Sequence, residues 1–221
     1  MAESTTVLIG TAITIALMHT LAGPDHYLPF IILGRSEKWS LKKILSWTAL
    51  CGAGHVLSSV LIGTLGIALG WNVHRLQWLE GLRGNIAVWA LIAFGFVYMC
   101  WGILRGIRGH HHSHSHPHSH PHDSAHTHSR TFWALFTIFI LGPCEPLIPM
   151  LMFPAASHSI GAIVLVAAVF SAVTILTMIA CVLLAYMGFE LFEFKIVQRY
   201  VHAFSGFAIG ASGLLIMLAD K

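Results

Sequence analysis

Long apolar segments joined by short polar stretches make up most of the chain. Six of these segments have the ~20 apolar residues that a helix needs to cross a bilayer. The pattern therefore predicts an all-α integral membrane protein with six transmembrane helices. These helices cover about residues 5–33, 41–70, 85–104, 131–154, 160–188 and 200–219.

Composition supports a membrane protein and excludes several function classes. Of the 221 residues, 56% are hydrophobic and only 10% are charged, whereas soluble domains carry about 25% charged residues. The net charge of +3 comes from a few loop residues, so nucleic acid is not an expected partner. The sequence has no phosphate-binding loop, and we expect neither an enzyme nor an organic cofactor. The four cysteines form no CxxC pair, so we expect no disulfide framework.

The distribution of lysine and arginine predicts an orientation in the membrane. Nine of the twelve lie in the loops after the first, third and fifth predicted helices, and three lie on the other side. Because cytoplasmic loops carry an excess of positive charge, we expect these odd-numbered loops in the cytoplasm and both termini outside. The expected membrane is the cytoplasmic membrane of a prokaryote. The three residues on the outer side are Arg75, Arg83 and Lys221.

The first predicted helix contains polar residues at membrane depth, in the sequence His19-Thr-Leu-Ala-Gly-Pro-Asp-His26. A charged group there costs about 2.5–3.5 kcal/mol, so it needs a partner or a function. His19 and His26 are seven residues apart, which places them on one face of a helix. Pro24 removes a backbone donor and should break the helix. Two imidazoles and the Asp25 carboxylate suit a divalent transition-metal ion; the alternative is a kink whose polar groups bond to neighbouring helices.

The break recurs in the second half of the chain. Gly23-Pro24-Asp25-His26 has a counterpart in Gly142-Pro143-Cys144-Glu145, and the third and sixth predicted helices share a Gly-Phe pair with a further glycine at the same offset. Three helices separate the copies, an odd number, so we expect an inverted 3+3 repeat with broken first and fourth helices, which is typical of transporters. The expected units are residues 1–108, a His-rich loop at 109–130 and residues 131–221.

Three further residues are candidate ligands. Glu145 is the only acid deep in the fourth predicted helix, and it is a metal ligand, a proton carrier or a hydrogen-bond partner of a neighbouring helix. Cys144 offers a thiolate, or it is a small buried filler. His55 lies on the second predicted helix beside Gly52 and Gly54, which let another helix approach closely. It faces the first break as a ligand, or it bonds a backbone carbonyl as a core histidine.

A His-rich tract connects the two halves. Ten of the sixteen histidines lie between residues 110 and 128, among serines and prolines. Such a segment cannot bury a core, and His-rich tracts bind metals, so we expect metal binding rather than a neutral linker or a tag. The candidate ligands in this loop, which we expect in the cytoplasm, are His110, His111, His112, His114, His116, His118, His120 and His122.

The motif His19-x-x-x-Gly23-Pro24-Asp25-His26 resembles the signature of the nickel/cobalt transporter family, and more closely its UreH-like branch. Gly142-Pro-Cys-Glu-Pro resembles the second-half motif of the wider LysE-type transporter superfamily. The resemblance covers most of the six-helix core. It implies uptake of Ni²⁺ or Co²⁺ as the transported substrate, with His19, Asp25 and His26 in the motif roles. It also implies cytosolic nickel-handling or urease-maturation proteins as partners.

The leading hypothesis is therefore a secondary transporter that takes up Ni²⁺ or Co²⁺ through the first helix break. An exporter with the same site is one rival, because the His-rich loop would gather cytosolic metal. A membrane thiol-redox conduit is the second, since such proteins share a Gly-Pro-Cys break. Its chemistry needs a cysteine in each half, and Asp25 occupies the first-half position. A membrane anchor that binds metal only through the loop is the third.

Overall fold

The computed structural model of the chain describes residues 2–108, 124–156, 159–189 and 200–219. Within these ranges all regular structure is helical, which confirms the all-α prediction. The described helices are α1 (Ala2–Ala22), α2 (Leu28–Ser36), α3 (Leu41–Ala68), α4 (Val73–Arg108), α5 (Ser124–Leu141), α6 (Leu147–Ala156), α7 (Ile160–Phe189) and α8 (Val201–Ala219), with a single 3-10 turn at Pro24–His26.

Four of the described helices, α3, α4, α7 and α8, are long and apolar enough to cross a membrane. They support the prediction of an integral membrane protein. The other four offer shorter apolar stretches, because the first and the fourth predicted helices are each divided in two. These stretches are Thr6–Ala22 in α1, Thr131–Leu141 in α5, Leu147–Ala156 in α6 and the nine residues of α2. Length and composition therefore identify four spans among the described helices.

Glycine and proline produce both breaks. α1 ends at Ala22, and the Gly23 N–H still donates to the His19 carbonyl oxygen at 3.1 Å. Pro24 has no N–H and begins the 3-10 turn, so the α-helical hydrogen-bond pattern cannot continue. Between α5 and α6, Gly142 and Pro143 interrupt the fourth predicted helix in the same way. Both interruptions release polar backbone groups that need partners inside the protein.

The start of α4 corrects one predicted boundary. The helix begins at Val73 rather than at residue 85. The prediction was wrong because Glu80 and Arg83 had the appearance of loop residues, whereas they pair with each other inside the helix at i, i+3 spacing. Arg83 is therefore not a loop charge, and the positive charge on the predicted outer side is smaller than the sequence suggested.

Two buried clusters form the core. The larger joins apolar side chains of α2, α3, α4, α5, α7 and α8, and the smaller joins those of α1, α3, α6 and α7 with Cys144 of the second break. α4 and α8 pack in direct backbone contact, because a Cβ on Gly95, Gly102 or Gly206 would overlap the backbone of the facing helix. At each break the preceding and the following helix belong to different clusters: α1 and α6 to the smaller one, α2 and α5 to the larger one.

Candidate functional site

Three histidines from three elements converge at the first break. His19 lies in the last turn of α1, His26 ends the 3-10 turn and His55 lies in the middle of α3. Each offers a ligand atom within 4.8 Å of those of the other two. The ring centroids of His19 and His26 are 4.8 Å apart, and those of His26 and His55 are 5.1 Å apart. The structure thus brings together three of the residues predicted as ligands.

His26 has one ring nitrogen engaged and one without a partner. Nδ1 lies 3.0 Å from the carbonyl oxygen of Gly23 and 3.3 Å from Oδ1 of Asp25. Because both oxygens accept, Nδ1 carries the proton and donates, which leaves the lone pair on Nε2. Nε2 is buried and has no hydrogen-bond partner. Asp25 lies at Nδ1, so the structure places it as the residue that orients His26 rather than within the three-histidine group.

His55 lies in the cluster at the first break and also bonds a backbone carbonyl. Its Nδ1 lies 3.3 Å from the carbonyl oxygen of Phe139 in α5, as expected of a core histidine. The same bond fixes the proton on Nδ1 and leaves Nε2, which is buried and unpartnered, as the second free acceptor in the cluster. A histidine that donates one ring N–H to a carbonyl is the usual arrangement of a metal-binding imidazole.

The second break places Cys144 against the histidine cluster. Its Sγ lies 3.9 Å from Nε2 of His19, and its side chain is fully buried. The neighbouring Glu145 is exposed and lines the same cavity as the three histidines. Of the two second-half candidates, Cys144 therefore lies beside a predicted ligand, whereas Glu145 contributes to the cavity wall.

A partly open cavity of about 740 Å³ reaches the cluster. The described residues that line it include two carboxylates, Asp25 and Glu145, and no lysine or arginine. Leu91 and Phe139 belong both to the cavity wall and to the larger buried cluster, so the apolar core closes the cavity on that side. A cavity whose only formal side-chain charges at neutral pH are negative favours cations over anions.

Sequence reasoning missed a buried polar network behind the second break. Oε2 of Glu80 accepts hydrogen bonds from the Ser59 hydroxyl at 3.1 Å and from the Cys144 backbone N–H at 3.2 Å. Arg83 pairs with Glu80 and donates to the carbonyl oxygens of Ile140 and Gly142. The available signal was the i, i+3 spacing of two opposite charges directly before an apolar run.

A second polar cluster lies away from the cavity. The Tyr98 hydroxyl donates to Oε1 of Glu37 at 2.6 Å and lies 2.9 Å from Nδ1 of His202.

The eight predicted ligands of the His-rich loop, between residues 110 and 122, lie outside the described residues. The structure therefore concentrates the described candidate ligands at the two breaks.

The fold and the site define an integral membrane protein in which two interrupted helices meet at a buried cluster of imidazoles and a thiol. Residues 9–216 match the family described as cytochrome c biogenesis protein transmembrane region, and the chain belongs to that family. None of the curated proteins and none of the solved structures matches the chain.

The family match corrects the assignment to the nickel/cobalt transporter family, which was wrong, and with it the expectation of nickel or cobalt transport. The resemblance rested on one short motif in each half. Glycine followed by proline interrupts a membrane helix whatever the protein carries, so such a motif locates a break and does not identify a family. Among the functions considered from the sequence, the match favours the thiol-redox conduit over nickel transport.

Proposed function

We propose that this member of the family binds a transition-metal ion inside the membrane and passes it along the cavity at the first break. The observation that carries the proposal is the pair of buried, unpartnered Nε2 atoms of His26 and His55. A buried polar atom without a partner is costly and calls for an explanation. An ion held between these two rings and His19 would satisfy all three imidazoles.

The donor set fits an ion of the borderline or soft class. Imidazole suits zinc and copper, and a thiolate favours copper(I). In a tetrahedral site with metal–nitrogen distances of about 2.0 Å, two ligand nitrogens lie about 3.3 Å apart. The three imidazoles, whose ligand atoms lie within 4.8 Å of one another, would therefore close by on the order of 1 Å around the ion. Zn²⁺ and Cu⁺ are the cargo ions that we propose.

The two interrupted helices complete the membrane arrangement in this proposal. α1 with α2, and α5 with α6, each form one further span beside the four long helices. The result is six spans in an inverted 3+3 repeat, with residues 109–123, between α4 and α5, in the cytoplasm and the termini outside. The repeat between the two breaks supports this arrangement, and relative rocking of the halves would open the cavity to the other side.

Zinc binding by the purified full chain tests the proposal. The ten histidines between residues 110 and 128 are first replaced by serine, so that the tract adds no background. We expect isothermal titration calorimetry to give one Zn²⁺ per chain. Binding should be weaker at acidic pH, because protons compete for the imidazoles. We also expect Zn²⁺ to enter proteoliposomes that contain a fluorescent zinc indicator. Cu⁺ forms a second arm. Failure to bind either ion stoichiometrically would contradict the proposal.

Transfer of thiol reducing equivalents is the second candidate, favoured by the family match and by the contact between Cys144 and His19. His19 would accept the thiol proton, and the Cys144 thiolate would attack a partner's disulfide, forming a mixed disulfide and releasing one partner thiolate, which takes up a proton. A second thiol must then resolve the mixed disulfide. None of the other three cysteines belongs to the buried cluster of Cys144, so in this candidate function the second thiol is assigned to a partner protein.

The variant Cys144→Ser separates the two candidates. We expect it to retain Zn²⁺ binding within about tenfold, because the three imidazoles remain. Thiol–disulfide exchange with a small aromatic disulfide should be no faster in the reconstituted wild-type chain than in the variant, since the buried thiol has no second described thiol in its cluster. Exchange that is present in the wild type, persists in Cys100→Ser and disappears in Cys144→Ser would instead support the redox function.

A further inference from the structure

The Glu80–Arg83 pair connects the two segments that carry His55 and Cys144. Ser59, in α3, donates to Oε2 of Glu80 and accepts from the Cys144 backbone N–H at 3.1 Å. The same N–H reaches Oε2 of Glu80, so it is shared between two buried acceptors. Cys144 follows a proline, and its N–H is the first backbone donor available after the break.

Arg83 binds the other side of the same turn. Its Nη2 donates to the carbonyl oxygens of Ile140 at 2.8 Å and Gly142 at 3.4 Å, where α5 ends. A guanidinium at this position satisfies carbonyls that have no helical partner. Nη2 also donates to the Ser58 hydroxyl at 2.7 Å, and Ser58 in turn donates to the His55 carbonyl oxygen at 2.7 Å. The guanidinium is thus hydrogen-bonded both to the turn before Cys144 and to the turn of α3 after His55.

The buried Glu80–Arg83 ion pair fixes the position of the groups around it. Glu80 is 1% exposed, and both of its oxygens are engaged by groups from α3, α4 and the second break. Burying an ion pair is expensive and is a poor source of stability by itself. What this pair provides is a fixed position for the Gly142–Cys144 turn. A Cβ on Gly142 would come within 3.2 Å of Nδ1 of His55, and Sγ of Cys144 lies 3.9 Å from Nε2 of His19, so the turn lies against both histidines.

We propose that Glu80 and Arg83 are positioning residues that hold the second break against the histidine cluster and thereby set its affinity for a metal ion. Neither residue lines the cavity or contacts the three imidazoles directly. The effect of the two residues on metal affinity rests on the proposed metal-binding function. Their effect on the position of Cys144 is independent of any metal.

The test compares Glu80→Gln with the double variant Glu80→Gln/Arg83→Met, in the chain whose tract histidines are serine. The single variant leaves Arg83 without its carboxylate partner and should lower both the melting temperature and the Zn²⁺ affinity. The double variant removes both charges, so the melting temperature should recover, while Zn²⁺ affinity stays reduced by about ten- to a hundredfold, as expected when groups that orient ligands are lost. Glu37→Gln, which removes a part-buried carboxylate bonded to Tyr98, is the matched control and should bind as the wild type does.

Alkylation of Cys144 supplies a readout that needs no metal. With Cys51, Cys100 and Cys181 replaced by serine, N-ethylmaleimide should react slowly with Cys144 in the wild-type background and at least tenfold faster in the double variant. Slow alkylation in the folded double variant would overturn the positioning role. A wild-type chain that binds no zinc would refute the metal function alone, because the alkylation rates would still decide whether the pair positions the break.

Discussion

Replacing His26 with alanine is expected to weaken Zn²⁺ binding by at least about a hundredfold, which corresponds to about 2.7 kcal/mol. The ring of His26 lies between those of His19 and His55 and contacts both. Its Nε2 is buried, unpartnered and oriented by the Gly23 carbonyl at Nδ1. Removing this ring leaves two imidazoles that no longer share a neighbour. A competition titration against a zinc chelator, in the chain with the serine tract, measures the loss.

His74→Ala is the matched control for this prediction. His74 is an exposed histidine near the start of α4, outside the cluster, and its replacement should leave Zn²⁺ affinity unchanged. Without metal, His26→Ala should melt close to the wild-type temperature, whereas the stabilisation that zinc gives to the wild type should be lost, because only a bound ion stabilises the folded state by mass action. Wild-type affinity in His26→Ala would show that the cluster is not the binding site.

The local parts of the site could be predicted from the sequence. Pro24 has no N–H, so it interrupts the helical hydrogen bonds whatever the tertiary packing around it. His19 and His26 flank Pro24 within eight residues of sequence, so both imidazoles are expected near that break. His55 was a weaker prediction, since only the neighbouring glycines indicated a close helix. The structure places His55 beside the other two histidines, and α5 supplies the Phe139 carbonyl that orients its ring.

The polar network at the second break could not be predicted in the same way. The i, i+3 spacing of Glu80 and Arg83 is a local signal, but it does not distinguish a buried pair from a solvated one, because Ser59 and Cys144, which bind Glu80, are distant in sequence. Hydropathy therefore placed the start of the third predicted helix after them. The family assignment failed for a related reason, since it used the residues of the breaks and ignored the apolar helices that pack around them.

The two halves contribute unequally to the site. All three imidazoles come from the first half, and the second half adds a thiol and a carboxylate at the equivalent break. A pathway built on two equivalent thiols would need a cysteine at each break, but the first break has Asp25 at the position that Cys144 occupies in the second. Asp25 is hydrogen-bonded to His26. The position that would hold the first-half cysteine of a symmetric thiol pathway is therefore occupied by a carboxylate that orients an imidazole.

The variant Gly206→Ala is expected to destabilise the chain by about 3 kcal/mol, through the contact between α4 and α8. A Cβ at this position would overlap the backbone of Met99, and backbone cannot move aside as a flexible side chain can. Overpacking of a close helix contact typically costs about 1–3 kcal/mol, and a backbone clash lies at the upper end. Because α8 also carries Leu215 and Ile216 of the cavity wall, separation of the two helices should weaken Zn²⁺ binding as well.

Gly210→Ala, one turn further along α8, is the control that makes this prediction specific. A Cβ there would meet its nearest atoms in α4, the Gly95 Cα and the Ile92 carbonyl oxygen, at 3.8 Å, which is ordinary van der Waals contact. Since alanine is also the better helix former by about 1 kcal/mol, this variant should be as stable as the wild type or slightly more so. Thermal unfolding in detergent micelles measures both variants. Equal melting temperatures would mean that the two helices do not approach as closely as the backbone contact at Gly206 requires.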